Sequence, residues 1–181
     1  RGNFNGTFDQ LILDAMIDYH DADLAFSPGF RWGVSVMPGE AITREHVMTQ
    51  TAITYPTATL NRMTGTQIKE ILEDVADNLF NVDPYYQQGG DMVRVGGLKF
   101  SIDPTKTIGK RINDMELNGK KLDPKKKYRV AGWASVARPL EGKPIWEVVE
   151  EYLVQQDVVR VKEVNLPKIK GIKSNLGLID V

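Results

Sequence analysis

Between Thr7 and His20 the apolar residues Phe8, Leu11, Ile12, Ala15, Met16 and Tyr19 fall on a single helical stripe, and Asp21 alone separates it from the short, mostly apolar run Ala22 to Phe26. A helix with one apolar stripe must bury it against another layer. A short apolar run closed by Ser27-Pro28-Gly29 has the length and punctuation of a buried strand. Joined this tightly, the two are expected to stack as neighbouring layers, which constrains the chain to a layered fold of helices on sheet. Thr7 and Gln10 carry the capping-box pattern and are expected to start the helix.

The rest of the chain follows the same logic. Thr43 is expected to cap a short helix through Gln50, and Ala58 to Met63 reads as a strand. Thr64 and Gln67 repeat the capping-box pattern ahead of Ile68, Ile71, Leu72, Val75 and Leu79, which predict a helix from Gly65 to Phe80. Val93, Val95, Leu98, Phe100 and Ile102 predict a strand with a bulge at Gly96-Gly97. Ile108 to Leu117 and Tyr128 to Trp133 are two further extended runs. Asn118-Gly119 supplies a tight turn after the first, and Asp123-Pro124 with Lys125-Lys126-Lys127 leads into the second. Ile145, Val148, Val149, Tyr152 and Leu153 mark a last helix, and the tail from Val158 carries no assignable element. Helices interleave with strands early and strands cluster late, so the fold class expected is α/β in the mixed α+β sense, with a mixed sheet and packed helices. The 181 residues make one domain.

Composition removes several function classes. Lys plus Arg (23) and Asp plus Glu (24) cancel to a net charge of −1, leaving no field to hold a polyanion, so nucleic acid is not an expected partner. No apolar stretch approaches the ~20 residues of a membrane span, and no membrane association is expected. There is no cysteine, hence no disulfide and no thiolate nucleophile or ligand. The start, Arg1-Gly2-Asn3-Phe4, is neither an initiator methionine nor a targeting segment. It reads as a cut at a domain boundary, and equally as a processed mature end.

The two histidines, His20 and His46, have no ligand-spaced partner and are expected in surface or capping roles. No nucleophile elbow or phosphate-binding glycine loop is present. No catalytic residue and no metal or other cofactor site is therefore expected in this chain, which by itself should not hydrolyse anything. Binding is different, because loops on a rigid scaffold can carry it without acid, base or metal.

Two segments qualify. In Ser27-Pro28-Gly29-Phe30-Arg31-Trp32-Gly33, Gly29 permits a sharp turn or a close approach, and Arg31 offers a planar fork of donors suited to sulfate, sulfonate or phosphate oxygens. The same pattern also reads as a solvated arginine between ordinary packing aromatics. In Gln87 to Gly97, the N–H groups of Gly89 and Gly90, next to Asp91 and Met92, could form an anion-binding concavity, or a plain loop before an edge strand. Lys125 to Lys127 read as a solvated turn or a docking patch for an acidic partner, while Trp133 and Trp146 read as core anchors.

An ordered set of motifs then points to a family. Leu11 to Met16, Ala22 to Phe26 leading to Gly29-Phe30-Arg31, Met63-Thr64-Gly65, Val95-Gly96-Gly97 and Tyr128-Arg129-Val130 together resemble the C-terminal domain of the 5'-nucleotidase family, over about residues 5–155. That resemblance implies a domain closing over an N-terminal metallophosphatase domain with two divalent metal ions, and an arginine, here Arg31, that holds the anionic group of the substrate. Where nucleotidases carry Asn-Gly-Gly-Gly-Ile-Arg, this chain has Phe26 to Arg31, which keeps the arginine and loses the asparagine. Met92 falls where the first base-stacking aromatic is expected, and Leu140 to Pro144 replace the motif near the second.

The runs Gly2 to Asp9, Phe26 to Gly33 and Gly89 to Gly97 are similar instead to the thiosulfohydrolase (SoxB) branch of the family. That branch implies a periplasmic enzyme of thiosulfate oxidation with two manganese ions in the N-terminal domain. Its substrate is the SoxYZ carrier, from whose S-sulfonated cysteine sulfate is released. Phe30 and Trp32 would shape the entrance, with Gly89, Gly90, Asp91 and Met92 as the opposing wall. The alternatives are a nucleotide-binding domain of a 5'-nucleotidase-type phosphoesterase, and a non-catalytic protein-interaction module.

Overall fold

The computed structural model describes residues 4–29, 33–135 and 141–172. Helix α1 (Thr7–His20) leads into strand β1 (Leu24–Ser27), as the stripe and run predict. Its start differs from expectation. The N-cap is Gly6 with no side-chain cap, and Thr7 is already helical. Gln10 is drawn away from a capping box by better partners, since its Oε1 accepts from Asn5 Nδ2 and from the Asn165 N–H, both at 2.9 Å, and its Nε2 donates to Asp14 at 2.8 Å.

Helix α2 (Arg44–Gln50) begins at the expected cap, Thr43, and strand β2 (Thr59–Thr64) runs straight into helix α3 (Gly65–Phe80). At α3 the box does form: the Thr64 hydroxyl accepts from the Gln67 N–H and the Gln67 carboxamide accepts from the Thr64 N–H. A single 3-10 turn (Pro84–Tyr86) precedes strands β3 (Arg94–Gly96), β4 (Leu98–Ile102), β5 (Ile112–Leu117), β6 (Lys120–Lys121) and β7 (Lys127–Gly132). Helix α4 (Ile145–Val154) and strand β8 (Lys168–Ile169) follow, so part of the tail is ordered against a sheet.

Two four-stranded sheets result, in the orders β2-β7-β1-β3 and β6-β5-β4-β8. In the first, β1 lies parallel to β7 and antiparallel to β3; in the second, β4 lies antiparallel to β5 and parallel to β8. The bulge expected at Gly96-Gly97 is in fact the passage from one sheet to the other. Gly97 has φ +79°, and a Cβ there would lie 2.9 Å from the Asp23 carbonyl oxygen, so the crossover needs glycine for both conformation and space. The turn between β5 and β6 has positive φ at Asn118 and Gly119, as the Asn-Gly pair predicts.

The inner strands β1 and β7 of the first sheet are buried on both faces, whereas its edge strand β2 is largely exposed. Leu24 and Val130 point to a core shared with α3 and the second sheet, while Ala25 and Ala131 point to a core shared with α1, α2 and α4. This alternation along β1 and β7 is the period of two that a strand imposes. Trp133 and Trp146 belong to the second of these cores, Trp133 buried and Trp146 packed against it, as anchors. No helix among the described residues is long and apolar enough to cross a membrane.

Candidate functional site

The two candidate segments meet. Ser27 of β1 pairs with Arg94 of β3, which brings the loop after β1 against the residues leading into β3. A Cβ on Gly29 would lie 2.4 Å from the Met92 carbonyl oxygen and 2.8 Å from Asp91 Cβ. The close approach predicted for Gly29 is therefore made to the protein's own backbone. Phe30, Arg31 and Trp32 lie outside the described residues, between two roots whose positions are fixed.

The first root is held by Arg94, whose side chain is fully buried. Its Nη2 donates to the Gly29 carbonyl (3.2 Å) and approaches Asp91 Oδ2 (3.4 Å), its Nη1 donates to the Met92 carbonyl (3.3 Å), and its Nε lies 3.5 Å from Asp9 Oδ2 in the first turn of α1. Burying a guanidinium costs several kcal/mol unless charge and hydrogen bonds compensate; two carboxylates and two carbonyls supply both here. Just behind this root, the Trp133 indole N–H donates to Ser27 Oγ at 2.8 Å. The second root is held by Gln50 at the end of α2, which donates to the Val34 carbonyl at 2.9 Å.

Two expectations for the opposing wall need correction. Met92 is 1% exposed and sits in the core with Leu24, Ile68 and Val95. Its side chain forms no wall, and the position is a packing position where a base-stacking aromatic was expected. The Gly89 N–H is already committed to the Asn78 carbonyl at 3.2 Å, because the chain folds back over the end of α3, so Gly89 and Gly90 do not form a two-donor anion nest. Gly90 is exposed, and Asp91 is partly exposed beside Arg94.

Sequence reasoning missed Arg94, Asp9 and Gln50. The signal available for Arg94 was slight: an arginine flanked by Val93 and Val95 reads as the solvent side of a strand. His46 serves as the third residue of the α2 capping box, its Nδ1 accepting from the Thr43 N–H. His20 closes α1, and burial followed by the nearby Arg129 charge hold its pKa below the ordinary value. No group of three or more His, Cys, Asp or Glu suited to a metal occurs among the described residues. A cavity of about 330 Å³, lined in part by Gln10, Lys99, Glu116, Glu163 and Asn165, lies at the second sheet. Its mixed charge does not suit an oxyanion.

The model of the 5'-nucleotidase C-terminal domain matches residues 3–151. The chain belongs to this family. Its fold, with two mixed sheets and four helices among the described residues, is that of the 5'-nucleotidase C-terminal domain. The chain is similar to the Thermus thermophilus sulfate thiohydrolase SoxB in complex with glycerol, with 39% identity, 98% of this chain and 34% of that chain covered, and a TM-score of 0.86. Two further 5'-nucleotidase structures share the fold at lower identity. A 5'-nucleotidase precursor from Thermus thermophilus matches at 18% identity, 96% and 37% coverage and a TM-score of 0.72. A putative 5'-nucleotidase from Staphylococcus aureus in complex with alpha-ketoglutarate matches at 16%, 88% and 36% coverage and 0.70. This 5'-nucleotidase C-terminal domain spans about a third of the length of these structures. No curated protein sequence matches it.

Proposed function

We propose that this chain is the substrate-binding domain of a hydrolase of the SoxB type, which releases sulfate from the S-sulfonated cysteine of the SoxYZ carrier. The observation that carries the reading is the 39% identity to SoxB across 98% of the chain, against 16–18% to the two 5'-nucleotidase structures. The motif Phe26 to Arg31 supports it, since it keeps an arginine for an oxyanion and lacks the asparagine expected of a nucleoside site.

In this reading water is added across the bond between the cysteine sulfur and the sulfonate sulfur. The cysteine leaves as thiol and the sulfonate as hydrogen sulfate. Two divalent ions held by an N-terminal metallophosphatase domain, manganese by the resemblance, would supply the activated water. This chain's share is binding. Arg31 donates to the sulfonate oxygens, and its donors gain strength as charge grows on them. Phe30 and Trp32 flank the carrier's approach, while Gly90 and Asp91 line the opposite side. The setting, by the resemblance to SoxB, is periplasmic.

The test is Arg31→Ala in the full-length, metal-loaded protein. Loss of an oxyanion donor is expected to lower sulfate release by about 10²-fold with metal content and melting temperature unchanged. Undiminished turnover would remove Arg31 from the site.

A further inference from the structure

We infer that the turn of residues 82–86 is the surface on which the carrier protein docks, with an uncharged apolar patch of the carrier packing on Tyr85 and Tyr86. The inference rests on the proposed carrier substrate and deepens it, from the reacting cysteine to the protein surface that delivers it.

Three observations carry it. Val82, Tyr85 and Tyr86 are 95%, 91% and 61% exposed. Single exposed apolar side chains are ordinary, but a group of them marks an interaction surface, and tyrosine is among the residues enriched at the energetic centre of one. The turn is also rigid by its own hydrogen bonds. Pro84 apart, every backbone N–H from Asp83 to Gly89 finds an acceptor within residues 78–89, and the Gln87 carboxamide ties the end of the turn to the Asn81 carbonyl at 2.7 Å. None of these bonds uses the aromatic side chains, so the turn keeps its shape when bare. A surface that is alternately empty and occupied needs that property, because little is left to order on binding; a face closed permanently by another domain does not. Finally, Asp83 is the only charged residue between Asn78 and Gly90, and its carboxylate accepts from the Tyr85 N–H at 3.0 Å. The turn therefore selects no acidic or basic partner. Two tyrosine faces with hydroxyls at their tips suit an uncharged surface of apolar groups and open carbonyls. Six residues beyond Tyr85, at most about 20 Å of chain, the same connection packs Asp91 against Gly29, within reach of a protein seated on the turn.

The experiment uses the full-length, metal-loaded protein. Nitration by tetranitromethane, read by mass spectrometry at Tyr85 and Tyr86, is followed in the free protein, with unconjugated SoxYZ, and with SoxYZ at raised salt. Both tyrosines are expected to react in the free protein and to be protected by the carrier, and salt should leave that protection unchanged because the contact carries no charge. In parallel, the double variant Tyr85→Ser with Tyr86→Ser is expected to raise KM for S-sulfonated SoxYZ about tenfold. Its kcat, melting temperature and affinity for inorganic sulfate should stay as they are. Tyrosines already unreactive in the free protein would mean that another domain covers them. Tyrosines still reactive beside bound carrier, or an unchanged KM, would mean that the carrier docks elsewhere, and protection abolished by salt would assign the contact to charged groups. Each of these results overturns the inference while sulfate release by the wild-type protein still upholds the carrier reading. A wild-type protein that releases no sulfate from the carrier defeats that reading, and the inference with it.

Discussion

The first sheet and the second each bury an arginine, and they use it for different ends. Arg94, in the first, gathers irregular segments around the loop that carries Arg31. Arg111, immediately before β5 of the second, belongs to a joint between that sheet and α3. Its Nη1 meets Asp77 Oδ1 at 2.5 Å, its Nη2 donates to the Phe80 carbonyl at 3.0 Å, and its own N–H, with those of Gly109 and Ile112, is received by the carboxylate of Glu73. The second network satisfies the backbone of a turn and the end of a helix, so its product is stability. The first directs its donors to the Gly29 and Met92 carbonyls, so its product is the joining of two loop segments. Buried charge alone does not distinguish a functional region; what the charge holds does.

Breaking the stability joint should give the largest effect. Glu73→Ala leaves three backbone N–H groups without their acceptor, of which those of Arg111 and Ile112 are buried; at about 1–3 kcal/mol for each buried group a loss of at least ~2 kcal/mol is expected in chemical denaturation. The folded fraction should bind sulfate normally. Weakened sulfate binding at full folding would erase the distinction between the two regions.

Gly29→Ala comes next. The new Cβ would press on the Met92 carbonyl at 2.4 Å, and relief of such overpacking costs about 1–3 kcal/mol. Unlike Glu73→Ala, it should also weaken sulfate binding, since the loop root must move; titration of the folded variant checks this.

Acid should act on the second region. The hydrogen bonds from Arg111 and then Asn81 hold the Asp77 carboxyl below the ordinary range; Thr105 does so for Asp103, and Lys170 with Ser101 for Asp114. A depressed carboxyl contributes stability that is complete above its unfolded value of about 3.9 and is lost as pH falls through the lower folded value. Denaturation midpoints should therefore drop below about pH 4, and Asp77→Asn should flatten part of that slope.

The smallest effect concerns His20. Its Nε2 is buried with no hydrogen-bond partner among the described residues, and its folded pKa is lowered by burial and Arg129. The neutral ring is favoured in the fold, so stability should decline slightly as pH falls from the unfolded value of about 6.5 toward the lower folded value. His20→Leu should remove that slope.

Much of the scaffold was legible because it is local. The stripes of α1 and α3 and the Thr64–Gln67 box specify their helices within a few turns of chain, and the Asn118-Gly119 pair specifies its hairpin. The sheet crossover at Gly97 was not legible, because a bulge and a change of sheet share the same two glycines and differ only in which distant strands pair with each side. In the candidate segments the close approach at Gly29 was legible, though it is made to the protein's own backbone, and Met92 and Gly89 were misread. There the deciding partners, the core around Leu24 and the carbonyl of Asn78, come from other segments. Arg94 shows the limit most clearly: a strand arginine between two valines looks solvent-facing until Asp9, more than eighty positions earlier, is folded against it.

The account turns on the substrate being a sulfonate on a carrier protein and not a nucleotide. Parallel turnover of S-sulfonated SoxYZ and of adenosine monophosphate by the full-length protein measures this directly. Release of sulfate from the carrier with no phosphate from the nucleotide is the predicted result. Phosphate release with the carrier left intact would contradict it.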